Sequence, residues 1–197
     1  MEKTDNIVAD FLNEQSTCIS NISKNVTEIS NIIKILLSAR NSNKTVYTLG
    51  NGGSGSTASH FVSDLLKTSI TKNQKRFRAI SLTDNISVIL AWSNDVSYDD
   101  IFSEQLQNFI SKGDVVVAFS GSGKSKNILK ALKFAKKNGA ICIGMTGITG
   151  GLMKNICDIC LKIPSSDMLT IESQHLTICH CITNAIRHMG EPVFKYD

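Results

Sequence analysis

His60 and Asp64 stand four residues apart in SHFVSDLL, and Glu172 and His180 stand eight apart in IESQHLTICH. On helices both pairs share a face, because residues at i and i+4 are neighbours and i+8 lies just over two turns on. Two carboxylates and two imidazoles on helices that meet suit proton movement beside a carbonyl. A carboxylate takes a proton from carbon, and an imidazole or the second acid serves the oxygens of the resulting enediolate. The spacing leaves open which of Asp64 and Glu172 is the base and which of His60 and His180 is its partner. The same four groups, His60, Asp64, Glu172 and His180, form a possible zinc donor set, since that ion takes N and O ligands in four-coordinate sites and can polarise a carbonyl. His175 and His188 read as structural or solvated histidines.

Two loops must hold what those groups act on. Gly50-Asn51-Gly52-Gly53-Ser54-Gly55 follows the β-rich run KTVYTLG, and Ser120-Gly121-Ser122-Gly123-Lys124-Ser125 follows GDVVVAFS. Ser54, Ser120, Ser122 and Ser125 supply hydroxyls, the glycines admit close backbone approach, and each loop opens a helix whose N-terminus favours an anion. Side by side, the loops suit one compact phosphate with a polar tail, as in a sugar phosphate. Two nucleotide readings compete. Gly50 to Gly55 satisfies G-x-G-x-x-G, with Asp84 available for a ribose, but a dinucleotide has no use for the second loop. Gly123-Lys124-Ser125 ends like a P-loop, yet position 118 is alanine where that motif needs glycine. No nucleotide cofactor is expected.

The elements that position these loops follow from periodicity. Residues 1–40 read as helix from apolar residues at three- and four-residue spacing. Strands are expected at 44–50, 76–83, 113–120, 140–147 and 157–164, the continuous Val/Ala/Phe of 113–120 fitting a strand buried on both faces. Helices are expected from Ser56 to Lys67, from Asp84 to Trp92, over 97–110, over 124–139 with Asn138-Gly139 as stop, briefly at 150–155, and over 168–189. Strands alternating with helices predict an α/β domain, a parallel sheet flanked by helices on both faces, after an N-terminal helical extension. Ligands then bind beyond the carboxyl ends of the strands, which brings the two glycine loops and Thr83–Asn85 to one edge.

Composition bounds the function. The 197 residues, 42% hydrophobic and 19% charged, make one domain with a real core. The net charge of +4 is mild and its lysines are scattered, without the basic stripe and interleaved aromatics of a nucleic-acid surface. No run reaches the roughly 18 apolar residues of a membrane span. The polar start MEKTDNIVADF lacks a secretory h-region, so a cytoplasmic setting with reduced cysteines is expected. Cys157-x-x-Cys160 and Cys179-x-Cys181 mimic a zinc ribbon, but they read better as buried structural thiols.

With these residues in view, GNGGS followed by HF, then AISLTDN, SNDVSYDDIF, GDVVVAFSGSGKSKNILKAL and TIESQHLTICH, the chain resembles the phosphoheptose isomerases of the sugar isomerase (SIS) domain superfamily from Ile7 to Ile186. The resemblance implies a cytosolic homotetramer, often carrying zinc, that converts sedoheptulose 7-phosphate to D-glycero-D-manno-heptose 7-phosphate on the way to lipopolysaccharide or S-layer heptose. It implies an SIS domain over 41–197, with 1–40 as the extension that packs between subunits. Asn51, Gly52, Gly53, Asn94 and Asp95 would line the substrate; Ser120, Ser122 and Ser125 would grip its phosphate; His60 and His180 would hold metal, the latter also moving protons. Several positions depart from the family pattern, Gly121 among them, where a threonine is usual. Asp64 stands where the family has its catalytic glutamate, so the resemblance implies Asp64 as the base at carbon, with Glu172 in reserve and His180 as acid/base partner; the shorter side chain withdraws the carboxylate by about 1.5 Å, one bond length. Glu172 replaces a usual glutamine, Lys124 a usual asparagine, and Thr68-Ser69 stand where an arginine is usual. A non-catalytic SIS relative binds the bacterial replication initiator; it carries asparagine at the position of His180, which favours an enzyme here.

Overall fold

The computed structural model describes residues 2–24 and 26–194; Met1 and residues 195–197, part of the expected helix and domain spans, lie outside the described residues. Two helices come first, α1 (Glu2–Ser23) and α2 (Thr27–Asn41). The stretch expected to be helical over 1–40 thus consists of two helices. The break falls where Ser23 and its polar neighbours, which compete for backbone hydrogen bonds, weaken the helix.

Five strands follow: β1 (Thr45–Gly50), β2 (Arg78–Ser81), β3 (Val115–Ser120), β4 (Ile141–Thr146) and β5 (Ile159–Lys162). All pair in parallel, in the order β2-β1-β3-β4-β5. Between them run α3 (Gly52–Ser63), α4 (Ile86–Asp95), α5 (Ser103–Phe109) and α6 (Lys126–Lys137), and α7 (Met168–His188) closes the chain. The order reverses between β1 and β3, which creates a crevice at their carboxyl ends. The two glycine loops leave from those two ends.

Several expected boundaries move. Helix α3 begins at Gly52 rather than Ser56, so most of the first glycine loop is a helical turn despite its poor propensity. The helix expected at Asp84 starts at Ile86, because Asn85 caps it by accepting the Val88 N–H at 3.3 Å. The span 97–110 divides into a 3-10 turn (Tyr98–Asp100) and α5. The short helix at 150–155 is a 3-10 turn at Met153–Asn155. Cys157 lies outside the last strand.

Strand alternation builds the two core layers. Val115, Val117 and Phe119 of β3 face Ile32 and Leu36 of α2, Phe61 of α3 and Ile178 of α7. Val116 and Ala118 face the other way, onto Leu106 of α5 and Ile128 and Leu132 of α6. The same division disposes of the zinc ribbon: Cys179 is buried in the first layer, while Cys157 and Cys160 pack against the second. Burial pushes the Cys142 thiol up to about 12 and raises Cys157 and Cys179 as well, which makes them inert thiols. Cys181 alone of the six is exposed.

Helix α4 breaks the pattern of burial. Its sequence, ISVILAWSND, is strongly apolar, yet none of its residues is buried in the protomer; Ile86 is 65% and Leu90 62% exposed. On α1, Ile7, Val8 and Leu12 are exposed as well.

Candidate active site

The crevice between β1 and β3 holds a cavity of about 280 Å³. One wall is the first turn of α3 with Asn51, Gly52, Gly53 and Ser54; the other is Ser120, Gly121, Ser122 and Ser125. Met168 and Glu172 of α7 close the side. The expected loop residues thus converge, and they come from three separate elements.

In both helices that point at the cavity the N-cap residue makes no side-chain capping bond. Asn51 is the N-cap residue of α3 and Ser125 that of α6, and neither side chain caps its helix. Helix N-termini left uncapped in this way favour a phosphate, although in α6 the Ile128 N–H is taken by Asn127 Oδ1. Within the second loop, Ser120 Oγ accepts from the Gly123 N–H at 3.2 Å, Ser122 Oγ accepts from the Lys124 N–H at 3.2 Å, and the Ser120 and Ser125 hydroxyls lie 3.5 Å apart. The hydroxyls are held on one rim.

Two glycines shape the opposite rim. Gly52 sits at φ +52°, a left-handed conformation that costs glycine nothing. At Gly53 a Cβ would overlap the Glu172 carboxylate. The carboxylate thus lies against the Gly53 backbone, and Glu172 lines the cavity.

The second group lies farther along the same helix pair. His60 Nε2 and His180 Nε2 are 3.1 Å apart, and each is 3.8 Å from Asp64 Oδ2. Asp64 is buried; its Oδ1 accepts from Thr68 Oγ1 at 3.0 Å, while its Oδ2 is buried with no hydrogen-bond partner. Thr68, read from sequence only as a missing arginine, therefore positions the carboxylate. The residues Asp64–Thr68 form a π-helical turn, with the Ser69 N–H bonded to Asp64 O. Such turns recur at functional sites.

An orphaned buried carboxylate oxygen is costly. Here it faces two imidazole nitrogens, and the three ligand atoms lie within 4.8 Å of one another. That N,N,O set fits a divalent ion such as zinc. Glu172, the fourth expected ligand, stands outside this group because it turns toward Gly53 instead.

Asn94 and Asp95 are not brought to the cavity in the protomer. They end α4, bonded to each other at 2.8 Å, and Asp95 lines a shallow apolar recess with Trp92 and Val96. Asp84 lines a second cavity of about 360 Å³ on the far side of Asn51, and accepts from Ser59 Oγ at 2.5 Å. His175 is fully buried, in keeping with a structural role. Asn127 and Tyr98 were missed. Both bond to Asn51, and their only sequence signal was membership of two stretches that carry the family resemblance.

A serine-rich anion cradle at the switch point of a five-stranded parallel sheet defines the SIS class, and the SIS domain family matches residues 10–147. The chain is 36% identical over 187 residues to the phosphoheptose isomerase of Aliarcobacter butzleri, covering 92% of this chain and 98% of that one. Its fold superposes on a phosphoheptose isomerase from Francisella tularensis with TM-score 0.88 at 27% identity, covering 94% and 98% of the two chains. The enzyme from Neisseria gonorrhoeae gives TM-score 0.87 at 25% identity, covering 94% and 99%. The chain belongs to the SIS domain family and, within it, to the phosphoheptose isomerases.

Proposed function

We propose that this protein is an aldose–ketose isomerase that converts sedoheptulose 7-phosphate to D-glycero-D-manno-heptose 7-phosphate. The observation that carries the reading is the Glu172 carboxylate facing a cavity rimmed by Ser120, Ser122 and Ser125. A general base is thereby set beside a phosphate cradle.

The serine rim and the N-termini of α3 and α6 bind the phosphate. Glu172 takes the proton from C1 of the open-chain ketose and returns it to C2 of the enediolate. Over the same steps O2 gains a proton and O1 loses one, a transfer that suits His180. The sequence put Asp64 first as base; the geometry favours Glu172, because Asp64 is turned between the two imidazoles. His60, Asp64 and His180 would hold the metal. When bound, a zinc ion there supplies Lewis-acid polarisation of the substrate oxygens.

A second copy of the chain is the natural cover for α4 and for the exposed apolar residues of α1, in a closed homotetramer. Burying α4 would also bring Asn94 and Asp95 into a shared site. Among the described residues no helix is long and apolar enough to cross a membrane, which accords with a cytoplasmic enzyme.

The test is coupled turnover of sedoheptulose 7-phosphate, with and without added zinc. Turnover is expected. Its absence in every metal state, from protein that still binds the sugar phosphate, would overturn the reading and favour a regulatory SIS protein.

A further inference from the structure

Asn51 lines both cavities and is anchored to two residues that neither the loops nor the metal group contain. Asn51 and Asn127 exchange amide hydrogen bonds, Asn51 Nδ2 to Asn127 Oδ1 at 3.0 Å and Asn127 Nδ2 to Asn51 Oδ1 at 2.8 Å. Tyr98 Oη donates to Asn51 Oδ1 at 3.0 Å, and the Ile128 N–H donates to Asn127 Oδ1 at 2.9 Å. The two asparagines are 76 positions apart and tie the end of β1 to the start of α6 across the switch point.

The polarity of this chain of bonds is dictated from one end. A backbone N–H is only a donor, so the Asn127 atom facing Ile128 must be oxygen. Its other terminal atom is then nitrogen, and the Asn51 atom receiving that nitrogen must be oxygen. A primary amide has two acceptor sites and two N–H groups. Asn127 and Tyr98 fill both acceptor sites of Asn51, and one of its N–H groups goes to Asn127. What remains is a single N–H. The flip of such an amide is set by its network, and this network leaves Asn51 a donor with no acceptor capacity.

We propose that Asn127 and Tyr98 are positioning residues that lock the Asn51 amide so that its one unspent N–H meets a substrate oxygen that gains negative charge during the reaction. The inference rests on the isomerase reading for the identity of that substrate. A donor held in place before the charge develops acts on the transition state more than on the bound substrate. Asn127 is 2% exposed and rigidly placed, whereas Tyr98 is half exposed, so the two can be probed separately.

The experiment compares the full-length wild type with Tyr98→Phe and Asn127→Asp, by turnover of sedoheptulose 7-phosphate, inhibition by inorganic phosphate, and side-chain amide NMR. Tyr98→Phe is expected to lower kcat about 10-fold, and Asn127→Asp, which replaces the donor facing Asn51 with an acceptor, about 100-fold, the scale of a misplaced contact. Inhibition by phosphate should stay within about twofold, because the serine rim is untouched. In the wild type, one Asn51 amide proton should exchange slowly and the other fast. An unchanged kcat in Tyr98→Phe, or a loss shared equally with phosphate affinity, overturns the proposal; so do two Asn51 protons that exchange alike. If Asn127→Asp fails to fold, Tyr98→Phe decides. A locked amide in a wild type that never turns over sedoheptulose 7-phosphate would sink the isomerase reading and leave the lock standing.

Discussion

Three side chains at the residue scale carry separable consequences. Glu172 is the carboxylate on the cavity, and Asp64 is the one among the imidazoles. Glu172→Gln should therefore lower turnover by at least about 100-fold, the usual weight of a general base, while zinc content after dialysis stays that of the wild type. Asp64→Asn should show the converse first effect, a fall in retained zinc measured by elemental analysis. If Asp64→Asn abolishes turnover with its metal intact while Glu172→Gln is active, the roles assigned here are reversed. His175 is the third. Burial lowers its imidazole to about 4, against a weaker upward pull from the Thr146 backbone. The folded form thus resists a proton that the unfolded chain accepts near 6.5. Its contribution to stability is whole above 6.5 and fades as the pH falls toward about 4, on the order of 3 kcal/mol in all. Urea midpoints should already decline between pH 6.5 and 5, before most carboxylates protonate; midpoints level across that window would contradict the assignment.

Elements decide how these side chains meet. Helices α3 and α7 lie together so that Gly53 faces Glu172 and His60 faces His180. Gly53→Ala tests the closer of the two meetings. The added methyl would overlap the glutamate, whose flexible end can yield, so the fold should survive with a melting temperature within a few degrees. Displacing the carboxylate should still cost about 10-fold or more in turnover. A variant as active as the wild type would show that Glu172 does not act from the position it holds here. The sequence reading placed His60, Asp64, Glu172 and His180 on the correct faces, because helical spacing is a local property. It could not tell that Glu172 turns to Gly53 while the other three gather, because that depends on where α7 crosses α3.

For the whole molecule, the uncovered apolar helix is the main feature. A helix as hydrophobic as α4 with no buried residue is the surface that the proposed assembly would cover. Leu90→Asp should shift the protein toward smaller species in sedimentation velocity and lower its turnover, if Asn94 and Asp95 complete a shared site. A monomeric wild type, or a fully active monomeric variant, would remove the assembly from the account.

By itself the sequence determined the order of strands and helices, the parallel α/β class and the place of the two glycine- and serine-rich loops. Each is written in short-range pattern: continuous apolar runs for strands buried on both faces, three- and four-residue spacing for helices, and glycine where the backbone must turn. The Asn51 lock, the support of Asp64 by Thr68 and the separation of the two carboxylates were decided only by the tertiary structure. Asn127 lies 76 positions from Asn51 and Tyr98 lies 47, and hydrogen bonds over such separations leave no periodic trace. They exist because strand order β2-β1-β3 sets the ends of β1 and β3 side by side, and that adjacency belongs to the fold rather than to any window of residues.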